Sequence, residues 1–118
     1  MADAGIFIGW GPPVRGREAK SLEVFNESVQ YWGQLQQDGK IESFEVALLS
    51  PHGGDLGGFA LLRGTQEGLD EVRNSDEFTR ILARAGLIIE GLGVVGAVLG
   101  EQLGTQMGIY QEQIAELT

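Results

Sequence analysis

Residues 40–64 read KIESFEVALLSPHGGDLGGFALLRG, and this stretch decides the fold. Two β-rich runs, 41–50 and 59–64, flank the glycine-rich loop 51–58. Runs of that length bounded by Gly and Pro clusters read as a strand hairpin. The second run opens with Phe59, Ala60, Leu61 and Leu62. A near-continuous apolar sequence of this kind fits a strand buried on both faces. Symmetry of the loop about Gly54 would set Glu45 opposite Arg63, Ala47 opposite Leu61 and Leu49 opposite Phe59. The loop also carries the only histidine of the chain, His52.

Outward from the hairpin, the apolar period changes. Upstream, Ile6, Phe7, Ile8 and Trp10 form a first strand bounded by Gly5 and by Gly11, Pro12 and Pro13. Leu22, Phe25, Val29 and Trp32 then recur at three- and four-residue spacing, which predicts a helix over 17–38 with Gly39 as its stop. Downstream, Thr65 caps a short helix to Arg73 with Leu69 and Val72 inward. Ser75 caps another, with Asp76 and Glu77 in the first turn, where the helix dipole favours acids. Phe78, Ile81, Leu82, Ala85, Ile88, Ile89 and Leu92 continue the helical spacing to Gly93, and a strand over 87–90 is the competing reading. A fourth strand over 94–99 and a last helix over 101–117 complete the chain. That helix carries Leu103, Met107, Tyr110, Ile114 and Leu117 on one stripe.

The composition narrows the field of functions. The 118 residues make one domain, 1–118. Nineteen glycines mark turns and close backbone approaches rather than a collagen repeat. A net charge of −9, with no basic run, argues against nucleic acid and anionic membranes as partners. The absence of cysteine removes disulfides, thiolate chemistry and Cys-based metal sites, and suits a cytoplasmic location. Residues 1–5 lack the basic and apolar segments of a secretion signal. The apolar stretch 86–100 contains Glu90 and is shorter than the ~20 residues of a membrane span.

The element order is β-α-β-β-α-β plus a terminal helix, the split βαβ or ferredoxin-like pattern of the α+β class. Right-handed crossovers give a four-stranded antiparallel sheet of order 4-1-3-2 with both long helices on one face. The other face is left bare and needs a cover. The chain here resembles the dimeric α+β barrel superfamily. The likeness rests on the element order and on a first strand ending in Trp10. It also rests on the helix restart Ser75-Asp76-Glu77-Phe78 and the Gly93-Val94-Val95 start of the last strand. The resemblance implies a homodimer joined through bare sheet faces, and the apolar stripe from Leu103 to Leu117 adds the terminal helix to the contact. Members of the superfamily include cofactor-independent monooxygenases, lactone isomerases, haem-degrading enzymes and many small proteins with no assigned role.

A motif counts only in its structural context. Gly91-Leu92-Gly93-Val94-Val95-Gly96 matches the dinucleotide fingerprint as a string, but only one helical segment follows it. Gly53-Gly54-Asp55-Leu56-Gly57-Gly58 lacks the lysine and the following helix of a phosphate loop. One histidine without cysteine gives no metal-ligand spacing, and the loop is too glycine-rich to fix a haem ligand, so no cofactor is expected. Ser50, His52 and Asp55 share one loop without the strained turn of a hydrolase nucleophile. Trp32 belongs to the apolar stripe and reads as core.

The first two strands run parallel, so their C-terminal ends share one sheet edge. That edge gathers Trp10, Arg15, Arg17, His52 and Asp55. An aromatic platform, cations and an imidazole make a rim for a small molecule. The expected function is therefore a homodimer holding a small, partly apolar ligand between sheet and helices. The alternative is a cofactor-independent monooxygenase or isomerase with His52 as the proton-transfer residue.

Overall fold

The computed structural model describes residues 3–118. Strand β1 (Ala4–Trp10) is followed by helix α1 (Glu18–Gln37) and the hairpin β2 (Ser43–Leu48) and β3 (Gly58–Gly64). Helices α2 (Gln66–Arg73) and α3 (Asp76–Gly86), strand β4 (Gly93–Val98) and helix α4 (Gly100–Leu117) complete it. The sheet order is β2-β3-β1-β4 and every neighbouring pair is antiparallel. This is the expected ferredoxin-like order 4-1-3-2 read from the opposite edge.

Strand alternation sorts side chains between two faces. Ala4, Ile6 and Ile8 of β1 and Ala60 and Leu62 of β3 are buried beneath the helices. They meet Trp32 and Leu35 of α1, Leu69 and Val72 of α2, and Phe78 of α3. Both short helices start as their caps dictate. Thr65 Oγ1 accepts from Gly68 N–H at 3.0 Å, and Ser75 Oγ accepts from Phe78 N–H at 3.3 Å. Each cap satisfies a backbone donor that the helix itself cannot.

Four expectations change. The hairpin register is shifted by two: Ser43, not Glu45, lies opposite Arg63, Glu45 lies opposite Leu61, and Ala47 lies opposite Phe59. The chain turns at Gly53, which takes the left-handed φ of +85°, and not at Gly54. An even shift keeps every side chain on its face. Glu45 and Arg63 are therefore still close, as diagonal neighbours joined at 2.8 Å. Second, β2 is shorter at both ends than 41–50. Third, α3 stops at Gly86, not Leu92. The backbone beyond it bonds instead to the chain after β1: Val14 N–H donates to Ile88 O at 2.8 Å, and Glu90 N–H to Pro12 O at 2.9 Å. Only the Ile89–Pro13 bridge represents the alternative strand over 87–90. Fourth, the inner face of α1 centres on Val24, Ser28, Trp32 and Leu35, while Leu22 is 67% exposed.

The Gly91–Gly96 glycines lead into β4 rather than a helix, so no dinucleotide turn forms. No helix among the described residues is long and apolar enough to cross a membrane.

Two substitutions check this account. Ile6→Ala, at the centre of the core, is expected to lower unfolding free energy in urea by about 2–5 kcal/mol. A double-mutant cycle on the exposed Glu45–Arg63 pair is expected to give a coupling of only about 0.2–1 kcal/mol, reduced in high salt.

Candidate functional site

The C-terminal ends of β1 and β2 do share one sheet edge, because both pair antiparallel with the intervening β3. A cavity of 590 Å³ opens there between the sheet, α1, α3 and the loop between β2 and β3. Its inner end is formed by Ile8, Val24, Ser28 and Trp32. One wall is aromatic: the rings of Trp10 and Phe25 meet edge to face, 6.0 Å apart. Ile81, Leu82 and Ala85 line it from α3, and Leu48, Leu49 and Leu56 from the hairpin side. A volume of this size and an apolar lining fit a small organic ligand.

Two glycines make the geometry. Gly58 lies opposite Trp10, and a β-carbon there would sit 2.9 Å from the indole and 2.8 Å from Ala47 O. At Gly11 a β-carbon would sit 2.7 Å from Glu90 O and 3.0 Å from Asp55 O. The backbone thus passes between the loop and the segment after α3 where a larger residue would collide.

Trp10, His52 and Asp55 line the cavity; Arg15 and Arg17 do not. Both arginines are exposed on the turn into α1, with Arg17 at its N-cap position. Asp55 is the only acidic or basic side chain, apart from the imidazole, among the lining residues. His52 is exposed and held inside its own loop. Gly54 N–H donates to Nδ1 at 3.1 Å, and Nε2 lies 2.7 Å from Leu56 O. A backbone N–H can only donate and a carbonyl can only accept. The pattern therefore requires a bare Nδ1 and a protonated Nε2. Both ring nitrogens are engaged, and neither is paired with Ser50 or Asp55 as a hydrolase triad would need.

The sequence reading missed Phe25, Ile81 and Leu82 as site residues, because helical spacing assigned them to core stripes. It also missed Ser28, whose Oγ donates to Val24 O at 2.8 Å within α1. Trp32, read as core, is 3% exposed, and its Nε1 has no hydrogen-bond partner among the described residues. No group of three or more potential ligands among the described residues could hold a metal ion. Burial pushes the Tyr31 phenol above its ordinary value, and Glu77 adds to this against a hydrogen bond from Ser75, but Tyr31 lies outside the cavity.

No known family profile matches the sequence, and no curated protein does. Solved structures match over most of the chain. A dimeric ferredoxin-like protein of unknown function from Thermobifida fusca has a TM-score of 0.61 at 11% identity, over 84% of this chain and 93% of its own. A protein of the ethyl tert-butyl ether D family from Bacillus halodurans gives 0.61 at 12%, over 83% and 99%. SnoaB, a cofactor-independent oxygenase from Streptomyces nogalater, gives 0.53 at 13%, over 84% and 93%. The chain is similar to dimeric ferredoxin-like and monooxygenase-like α+β barrel proteins, and at these identities the likeness defines its fold.

Two measurements follow from this geometry. Nitrogen-15 NMR of His52 at pH 8 is expected to find the proton on Nε2; the opposite tautomer would contradict the loop bonding. Gly58→Ala is expected to cost about 1–3 kcal/mol of stability, because the indole and the Ala47 carbonyl must both give way.

Proposed function

We propose that the protein is a homodimer whose protomers each hold a small, partly apolar molecule in the cavity between sheet and helices. The observation that carries the ligand reading is the apolar 590 Å³ cavity with its aromatic wall at the shared β1–β2 edge. Ligand sites usually combine such a lining with a few polar groups, and here Ser28, His52 and Asp55 are the candidates. Pairing of two copies is supported by the other sheet face. Phe7 and Phe59 stack there with ring centres 5.1 Å apart, beside Leu61 and Val95, and no helix among the described residues covers them. The dimeric neighbours share this fold.

The alternative gives His52 a proton-transfer role like that of a cofactor-independent monooxygenase or isomerase. Proton transfer needs a free nitrogen within hydrogen-bond reach of the substrate. His52 would first have to release Gly54 or Leu56. We therefore read His52 as the residue that shapes the loop wall, with Trp10 and Asp55 facing the ligand; Arg15 and Arg17 take no part.

Nile red, an uncharged apolar dye, tests the cavity. Its fluorescence is expected to rise on addition of the protein. Ala85→Phe, which places a ring in the cavity, is expected to weaken dye binding more than about tenfold, since close-packed space admits no further ligand atoms. Unchanged binding by a folded Ala85→Phe protein would place the dye elsewhere and overturn the reading.

A further inference from the structure

Helix α4 buries none of its residues against the other described residues of its own chain. All of its residues from Gly100 to Leu117 are exposed. Leu103, Met107 and Ile114 are about half exposed, and Leu117 is 87% exposed. An isolated helix of 18 residues is marginal in water and normally depends on burying one face. α4 therefore needs a surface, and its sequence specifies which kind.

The large apolar residues of α4 other than Ile109, which lies off the seam at a c position, follow a heptad. Met107 and Ile114 take the a positions, and Leu103, Tyr110 and Leu117 the d positions. This narrow a/d seam suits a facing helix rather than the broad apolar face of a sheet. The flanking e and g positions, which set partner choice in paired helices, are Gly104, Gln106, Gln111 and Gln113. None carries charge. A foreign helix chosen by charge would find nothing to read there, while a second α4 would meet no like-charge repulsion. The acids Glu101, Glu112 and Glu116 sit at the outer b, f and c positions, and the helix has no Lys or Arg. Gly104 and Gly108 have open space around them, which permits close approach.

We propose that α4 pairs with α4 of a second copy of this chain through the Leu103–Leu117 seam. The proposal rests on the homodimer reading, because a seam of two heptads needs the two domains held together to persist. It goes further by naming the helix-to-helix contact and the residues that face one another. In a parallel pair two-fold symmetry sets Tyr110, at the middle of the seam, beside its own copy; in an antiparallel pair a positions face d positions, and Tyr110 meets Met107 of the second copy.

The chain contains no cysteine, so single introduced cysteines report the contact directly. Y110C, on the seam, and E112C, on the outer face, are both exposed positions whose replacement leaves the core untouched. Under mild oxidation Y110C, for parallel helices, or the double variant M107C/Y110C, for antiparallel ones, is expected to form a disulfide between copies at least about tenfold faster than E112C, since a bond needs Cα atoms within about 7 Å. Rapid linkage of the single Y110C means parallel helices, and linkage only in the double variant means antiparallel ones. Either supports the pairing. Neither variant linking faster than E112C in a chain that is dimeric in solution would overturn the α4 seam alone. A monomeric chain would overturn the seam together with the homodimer.

Discussion

Burial of Ile6 and Leu62 against Leu69 and Phe78 is the interaction on which the rest of the structure depends. These side chains fix which face of the central pair β1 and β3 turns toward the helices. Because strand residues alternate, the same decision sends Phe7, Phe59, Leu61 and Val95 to the opposite face. A four-stranded sheet with helices on one side only therefore carries its own requirement for a second layer. The domain is complete as a fold and incomplete as a surface.

The cavity is a consequence of the same arrangement. The crossover through α1 places β1 and β2 parallel on either side of β3, so both strands deliver their following loops to one edge. At that edge a space remains between the helices and the sheet, lined by the hairpin loop and the segment after α3. Backbone hydrogen bonds tie these two walls to the chain leaving β1: Gly57 N–H donates to Trp10 O at 2.7 Å, and Gly11 N–H to Glu90 O at 2.8 Å. His52 braces the loop from within. The wall is thus held by main-chain contacts, which explains why glycine occupies positions 11 and 58, where side chains would collide.

The features legible in the sequence are those set by local chemistry and periodicity. Thr65 and Ser75 announced their helices through capping, and the β-rich runs around Ile6 and Leu62 placed the strands, although the run 59–62, read as buried on both faces, alternates, with Phe59 and Leu61 only half-buried. The features missed depend on tertiary competition. Ile88, Ile89 and Leu92 keep a helical period, yet their backbone pairs with the chain around Pro12 and Val14 instead. The hairpin register turned on whether Gly53 or Gly54 adopts the left-handed conformation, which neighbouring glycines do not distinguish. At the site, Trp10, His52 and Asp55 could be grouped by topology because their loops leave the same sheet edge. Phe25 and Leu82 could not, since a stripe residue over a cavity and one over the core have the same spacing. Arg15 and Arg17 were grouped with the rim by sequence proximity to Trp10, but the turn through Pro12 and Pro13 carries them away from the cavity.

The central claim is that the bare sheet face and α4 are covered by a second copy of this chain. Sedimentation equilibrium from nanomolar to micromolar concentration tests it most directly. The account predicts a mass twice 12.7 kDa at micromolar concentration, falling toward the single-chain value on dilution or when Phe59 and Leu61 are replaced by glutamate. A folded species of 12.7 kDa across the whole range, with the apolar face left in water, would contradict it.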